Sequence, residues 1–169
     1  AIYHGSGTLV VDGASFDGCH ADKFGGAYGT TDSSDGNAQF KNCNFGKVTR
    51  NTALERGGCI YSNSPNVTTT SHTFTDCWIS GQVAGGSSDV NGGGVRVGGG
   101  ASPAFTRCTF DNCSAEDSGA VHIAGSSAPS FTNCTFSNCE NVGSSKNGGA
   151  VRMSSAANHP PFTSCHFIN

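Results

Sequence analysis

Apolar residues in this chain come in short groups that recur, separated by runs of Gly, Ser, Asn and Asp. The first group is Phe-x-x-Cys, present eight times, starting at Phe16, Phe40, Phe74, Phe105, Phe110, Phe131, Phe136 and Phe162. Eight of the nine cysteines therefore follow a phenylalanine by three residues, and only Cys59 does not. The segment Phe131 to Cys139, FTNCTFSNC, holds the phrase twice. A second group alternates with the first: Gly25-Gly-Ala-Tyr28, Gly57-Gly-Cys-Ile-Tyr61, Gly92-Gly-Gly-Val-Arg-Val97, Ser118-Gly-Ala-Val-His-Ile123 and Gly148-Gly-Ala-Val-Arg-Met153. Ala1-Ile-Tyr3 is a shortened copy. The third position of this phrase advances in steps of 26 to 35 residues.

A period of that length, carrying three short β-type segments between turn residues, predicts an all-β parallel β-helix of about five to six coils. The three segments are Phe-Thr, Cys-x-Phe and Ala-Val-x-Ile. Asn before Cys (Asn42, Asn112, Asn133 and Asn138) suits a left-handed corner, and the Gly pair suits a second turn. Two leucines are too few for a leucine-rich repeat, and a sandwich would need longer alternating strands. Coils stacked about 4.8 Å apart place like residues in columns. The columns expected inside are Phe16, Phe40, Phe74, Phe105, Phe131, Phe162; then Cys19, Cys43, Cys77, Cys108, Cys134, Cys165; then Phe45, Ile79, Phe110, Phe136, Phe167. Val95/Val97, Val121/Ile123 and Val151/Met153 alternate and are expected to point inward, leaving Arg96, His122 and Arg152 outward. The stretches 31–38, 49–56, 62–72 and 82–89 are expected to protrude as loops.

Composition narrows the class. With 169 residues the chain is read as one domain, 1–169, either a piece of a longer solenoid or a subunit that stacks end to end. Charged residues make up 12% and the net charge is −3, which gives no reason to expect nucleic acid. No apolar run reaches the ~18 residues of a membrane span. Nine cysteines without clustered CxxC pairs point to an oxidising, extracellular setting rather than to a zinc site. The sequon at Asn66 fits a secreted glycoprotein.

The GGA(V/I) and Phe-x-x phrases together resemble the polymorphic outer-membrane protein family. Its repeats are GGA(I/L/V) and FxxN, with Cys here in place of the family's Asn. The resemblance covers essentially the whole chain. It implies a right-handed, pectin-lyase-like β-helix and a surface role as an adhesin.

Candidate chemistry follows from the columns. Column neighbours lie within the reach of a disulfide, and Cys113 with Cys139 is the favoured bridge. Cys19–Cys43, Cys77–Cys108 and Cys134–Cys165 remain open, as do the within-coil pairs Cys108–Cys113 and Cys134–Cys139. Tyr61, Arg96, His122 and Arg152 are a candidate glycan-binding stripe, flanked by the small residues Cys59, Gly94, Ala120 and Ala150. Hydrolases of this fold carry Asn-Thr-Asp, Asp-Asp, Gly-His-Gly and Arg-Ile-Lys, and none of these strings occurs. The carboxylates are scattered on turns instead of paired across a cleft. Asp32-Ser-Ser-Asp35-Gly-Asn37 lacks the closing Glu of a calcium loop. No catalytic residue, metal or cofactor is therefore expected. The function expected is an extracellular structural repeat protein that self-associates, with a glycan-binding adhesin as the alternative.

Overall fold

The computed structural model describes residues 2–30, 36–64, 71–83, 90–144, 147–154 and 159–168. Among them the chain winds through four sheets, and every paired strand is parallel to its neighbours. Sheet A runs Ile2–Tyr3, Tyr28–Gly29, Ile60–Asn63, Val95–Gly98, Val121–Ala124 and Val151–Ser154. Sheet B runs Thr8–Asp12, Asn37–Lys41, His72–Thr75, Ala104–Thr106, Ser130–Thr132 and Phe162–Thr163. Sheet C runs Ser15–Phe16, Asn44–Phe45, Trp78–Ile79, Thr109–Asp111, Thr135–Ser137 and His166–Ile168. Sheet D, the fourth, runs His20–Ala21, Asn51–Ala53, Gly81–Val83, Ser114–Ala115 and Glu140–Asn141.

The fourth sheet corrects the three-strand coil. Residues 51–53 and 82–83, expected in loops, are strands of this sheet, and 37–38, 62–63 and 72, also expected in loops, extend strands of sheets A and B. The sheet D sequences Asn-Thr-Ala and Gly-Gln-Val have too little apolar content to announce a strand. They pair because the neighbouring coils hold them in register. Residues 31–35, 65–70 and 84–89, the middle or remainder of three expected loops, lie outside the described residues.

Register explains the Phe-x-x-Cys spacing. The full unit is nine residues, Phe-x-x-Cys-x-Phe-x-x-Cys, and spans two corners. Phe40, Phe74, Phe105, Phe131 and Phe162 pair in sheet B. Their rings stack nearly parallel, with centroids 5.2, 4.9, 5.2 and 4.6 Å apart. Phe16 was expected at the head of this ladder, but Val11 takes that place. Phe16 instead stacks on Phe45 at 5.0 Å, in the sheet C ladder that continues through Ile79, Phe110, Phe136 and Phe167. The first coil reads Val-x-x-Ala-x-Phe-x-x-Cys, so its one Phe-x-x-Cys is the second half of the unit.

Where a cysteine occupies either corner, a left-handed residue precedes it. Asn42, Asp76, Arg107, Asn112, Asn133, Asn138 and Ser164 all have φ of 51–54°, and each immediately precedes a cysteine. Asn, and to a lesser degree Asp, tolerates this region because its short polar side chain can bond locally. At the Gly-Gly turn, Gly57 has φ +61°, and a Cβ on Gly58 would come within 2.3 Å of the Gly93 carbonyl oxygen. Coils approach there too closely for any side chain. In sheet A, Val95, Val97, Val121 and Ile123 are buried as expected, but Met153 is 60% exposed.

Candidate functional site

The sequence places Tyr61, Arg96, His122 and Arg152 in one column, and the structure brings all four into register. They do not form an open basic stripe. Tyr61 is 5% exposed because Phe24 stacks on it, centroids 4.6 Å apart, with the Arg56 guanidinium over Phe24 in turn. Arg96 turns back to its own coil, donating from Nε to Asn91 Oδ1 at 2.9 Å and from Nη1 to the Val97 carbonyl. His122 is buried, its Nε2 2.7 Å from Ser154 Oγ and its Nδ1 3.7 Å from Asp117. Arg152 pairs with the same Asp117 carboxylate, whose other oxygen accepts from Asn147 Nδ2 at 2.8 Å. One carboxylate thus sits against both basic groups. The flanking small residues Cys59 and Ala120 are fully buried and face the core, so they shape no outer groove.

The cysteines fall into two corner columns, and register again decides membership. Between sheets B and C lie Ala14, Cys43, Cys77, Cys108, Cys134 and Cys165, each preceding residues paired in sheet C. Between sheets C and D lie Cys19, Asn51, Gly81, Cys113 and Cys139. Cys19 therefore stands at a different corner from Cys43, and a Cys19–Cys43 bridge is excluded. The within-coil pairs Cys108–Cys113 and Cys134–Cys139 are separated by extended strands of sheet C. A strand rise of about 3.3 Å per residue puts them well beyond the ~7 Å limit of a bridge. All nine cysteines are free thiols in this structure, including Cys113 and Cys139, which stand in register on adjacent coils.

Each thiol of the first column leans on the preceding coil. The Cys77, Cys108, Cys134 and Cys165 thiols donate to the carbonyls of Phe40, Phe74, Phe105 and Phe131 at 3.7, 3.2, 3.4 and 3.5 Å. Hydrogen bonding with Cys108 lowers the pKa of Cys134 to about 7 and lowers that of Cys77, while Cys108 itself is pushed up. In the second column, burial raises Cys113, and the Cys113 thiol lowers Cys139. Cys59 comes from the Gly-Gly phrase and fills the gap where Gly81 replaces a cysteine; a Cβ on Gly81 would lie 3.0 Å from that of Cys59. Fully buried, Cys59 is pushed up to about 12 and is chemically quiet.

One irregular spot on the outer wall was not anticipated. Around Trp78, a shallow depression of about 220 Å³ is lined by Asn44, Lys47, Asp76, Arg107 and Thr109. Arg107 grips Asp76 with both arms, at 2.7 and 2.8 Å, and holds its carboxyl below the usual carboxylate range. Lys47 Nζ lies 5.3 Å from the Trp78 ring centroid. The signal was present in the sequence: the corner position that usually holds Asn carries Asp76 and Arg107, opposite charges in consecutive coils. The sequon Asn66 and the acidic positions Asp32 and Asp35 lie outside the described residues.

No curated protein and no solved structure matches the chain. The right-handed beta helix region family matches residues 2–169, the same span over which the coils repeat. With that match and its parallel four-sided coils, the chain belongs to the right-handed β-helix family.

Proposed function

We propose that this chain is an extracellular structural solenoid, a length of rod in a filament, wall or surface appendage, and that it has no catalytic activity. The supporting observation is the use made of its carboxylates. Five aspartates each bond to the next coil. Asp12 accepts from Asn42 Nδ2 at 2.9 Å and Asp17 from the Val48 N–H at 2.9 Å. Asp76 takes Arg107, Asp111 takes Ser137 and Asn138, and Asp117 takes Asn147 and Arg152. A hydrolytic cleft needs two carboxylates converging on one point. Here they are spread along the axis and stitch coil to coil, which serves a rod. Such rods extend by adding coils, since the strand edges at the ends of a solenoid offer unpaired N–H and C=O groups. Seven of the nine cysteines stand in adjacent-coil columns, which supports placement outside the cell. The test combines microscopy of the purified chain with assays for new reducing ends and unsaturated sugars on a panel of polysaccharides. Ordered end-to-end assemblies without turnover are expected; turnover abolished by Asp117→Asn or Asp76→Asn would overturn the proposal.

A second reading, a glycan-binding adhesin of the polymorphic outer-membrane protein kind, draws on the Trp78 depression rather than on the Arg96/His122/Arg152 wall. An indole beside a fixed carboxylate–guanidinium pair offers a stacking surface and hydrogen-bonding groups to a sugar. Trp78 is the one tryptophan in the chain, so its fluorescence reports binding directly. A saturable change on titration with oligosaccharides, lost in Arg107→Ala, would favour this reading over the first.

A further inference from the structure

The corner between sheets B and C stacks five thiols, Cys43, Cys77, Cys108, Cys134 and Cys165, on successive coils. Spacing of about 4.8 Å lets each reach the thiol above or below it, but not one two coils away at roughly twice that distance. Each thiol also follows a left-handed corner residue at the same φ, so the side chains leave the backbone at equivalent points. Five is odd, and this has a consequence that no single pair shows.

We propose that this column is a thiol–disulfide exchange ladder that closes two bridges and always keeps one thiol, whose position is restricted by parity. Adjacent pairing allows three fully bridged arrangements: Cys43–Cys77 with Cys108–Cys134, Cys43–Cys77 with Cys134–Cys165, and Cys77–Cys108 with Cys134–Cys165. The remaining thiol is Cys165, Cys108 or Cys43, never Cys77 or Cys134. Each bridge forms when two thiols give two electrons and two protons to a small-molecule disulfide, which leaves as two thiols. The arrangements then interconvert without further oxidant. Cys43 thiolate attacks Cys77 of the Cys77–Cys108 bridge, one S–S bond forms as the other breaks, and Cys108 leaves as thiolate. Cys108 can next attack Cys134 and release Cys165. Cys77 and Cys134 are the sulfurs attacked in each exchange; the thiols that attack and leave are raised in pKa, Cys43 and Cys165 by burial and Cys108 by hydrogen bonding with Cys134 and Cys77, so exchange quickens as pH rises. The other corner behaves differently: Asn51 and Gly81 interrupt its column, so Cys113 and Cys139 are its one adjacent-coil pair and have no run of thiols to exchange along. This inference does not depend on the structural reading above.

The test is to refold the reduced chain in mixtures of oxidised and reduced glutathione, alkylate the free thiols, and map bridges by digestion without reduction. Molecules with two bridges in the column should carry the alkyl label on Cys43, Cys108 or Cys165, with Cys113 linked to Cys139. A label on Cys77 or Cys134 in those molecules would overturn the proposal. So would a Cys19–Cys43 or Cys108–Cys113 bridge, or oxidant consumption with no adjacent-coil bridge. The Cys43→Ser variant sharpens the test, because a column of four closes in one way only. It should give Cys77–Cys108 and Cys134–Cys165 with no labelled thiol left in the column; a persisting mixture would sink the ladder.

Discussion

At the corner between sheets B and C, each coil from the second onward meets the next with a residue of its own kind: Phe on Phe and Cys on Cys. At the seam between sheets A and B, the contacts among the described residues join unlike groups. There His4 Nδ1 lies 3.2 Å from the Tyr28 hydroxyl, Ser62 Oγ lies 2.9 Å from His72 Nδ1, and the Tyr28 and His72 rings meet edge to face at 5.8 Å. Thr30 and Asn63 exchange two further hydrogen bonds across coils, at 3.0 and 3.3 Å. Both regions are buried and both hold coils together. The difference lies in what satisfies a side chain. A flat apolar ring is satisfied by a copy of itself one coil away, so the residue can repeat. A buried polar group needs a complementary partner, so its column has to vary.

The regular corner should respond most strongly to truncation. Phe105 is buried between Phe74 and Phe131, so Phe105→Ala opens a cavity in the middle of the ladder. A loss of about 3–5 kcal/mol is expected in urea unfolding. The polar seam should respond most to pH. His72 is buried and its pKa is lowered to about 4, chiefly by desolvation, with His4 nearby adding to the effect. Its folded pKa lies below the unfolded value, so the unfolded chain takes up the proton first. Stability is full above about pH 6.5 and falls as pH drops towards about 4, by roughly 3 kcal/mol in all. Unfolding curves at a series of pH values, for the parent and His72→Asn, check this; the variant should lose that part of the slope.

The same contrast explains what could be read from the sequence. The parallel coil, the Phe and Cys columns and the left-handed Asn corners were all readable, because each is a same-kind contact that repeats. The assignment of Phe16 and Cys19 failed because the first coil carries only half of the nine-residue unit. Sheet D was hidden because Asn51–Ala53 and Gly81–Val83 owe their strand form to neighbours rather than to composition. The Tyr61/Arg96/His122/Arg152 column was found, but the partners that engage it were not. Asp117, which pairs with His122 and Arg152, and Phe24, which covers Tyr61, lie outside the repeated phrases and carry no periodic signal.

The corner between sheets C and D falls between these two cases, since its cysteine column is interrupted. Asn51 stands where a cysteine would be, and its amide serves both neighbours. Its Oδ1 accepts the Cys19 N–H at 2.8 Å, and its Nδ2 donates to the Phe16 carbonyl at 2.7 Å and contacts Cys59 Sγ at 3.2 Å. Asn51→Ala should cost about 1–3 kcal/mol through the backbone groups it leaves without partners. Asn51→Cys, which restores the repeat, should not recover that loss, because a thiol cannot replace both arms of the amide. Thermal unfolding of the two variants tests whether a repeated residue can replace a specific partner.

The smallest effect belongs to the corner residue itself. Ser164 adopts φ 52°, in a position where Asn42, Asn112, Asn133 and Asn138 recur. Ser enters the left-handed region less readily than Asn, and the side chain of Ser164 is exposed, so no core contact is at stake. Ser164→Asn should therefore raise stability by somewhat under about 1 kcal/mol, a gain from backbone conformation alone. Asn133→Ser, one coil earlier at the same corner, should lose a similar amount. If the two changes differ widely, the corner residue is selected by its neighbours rather than by its own φ. Even the most regular part of the solenoid would then depend on specific partners, as the polar seam does.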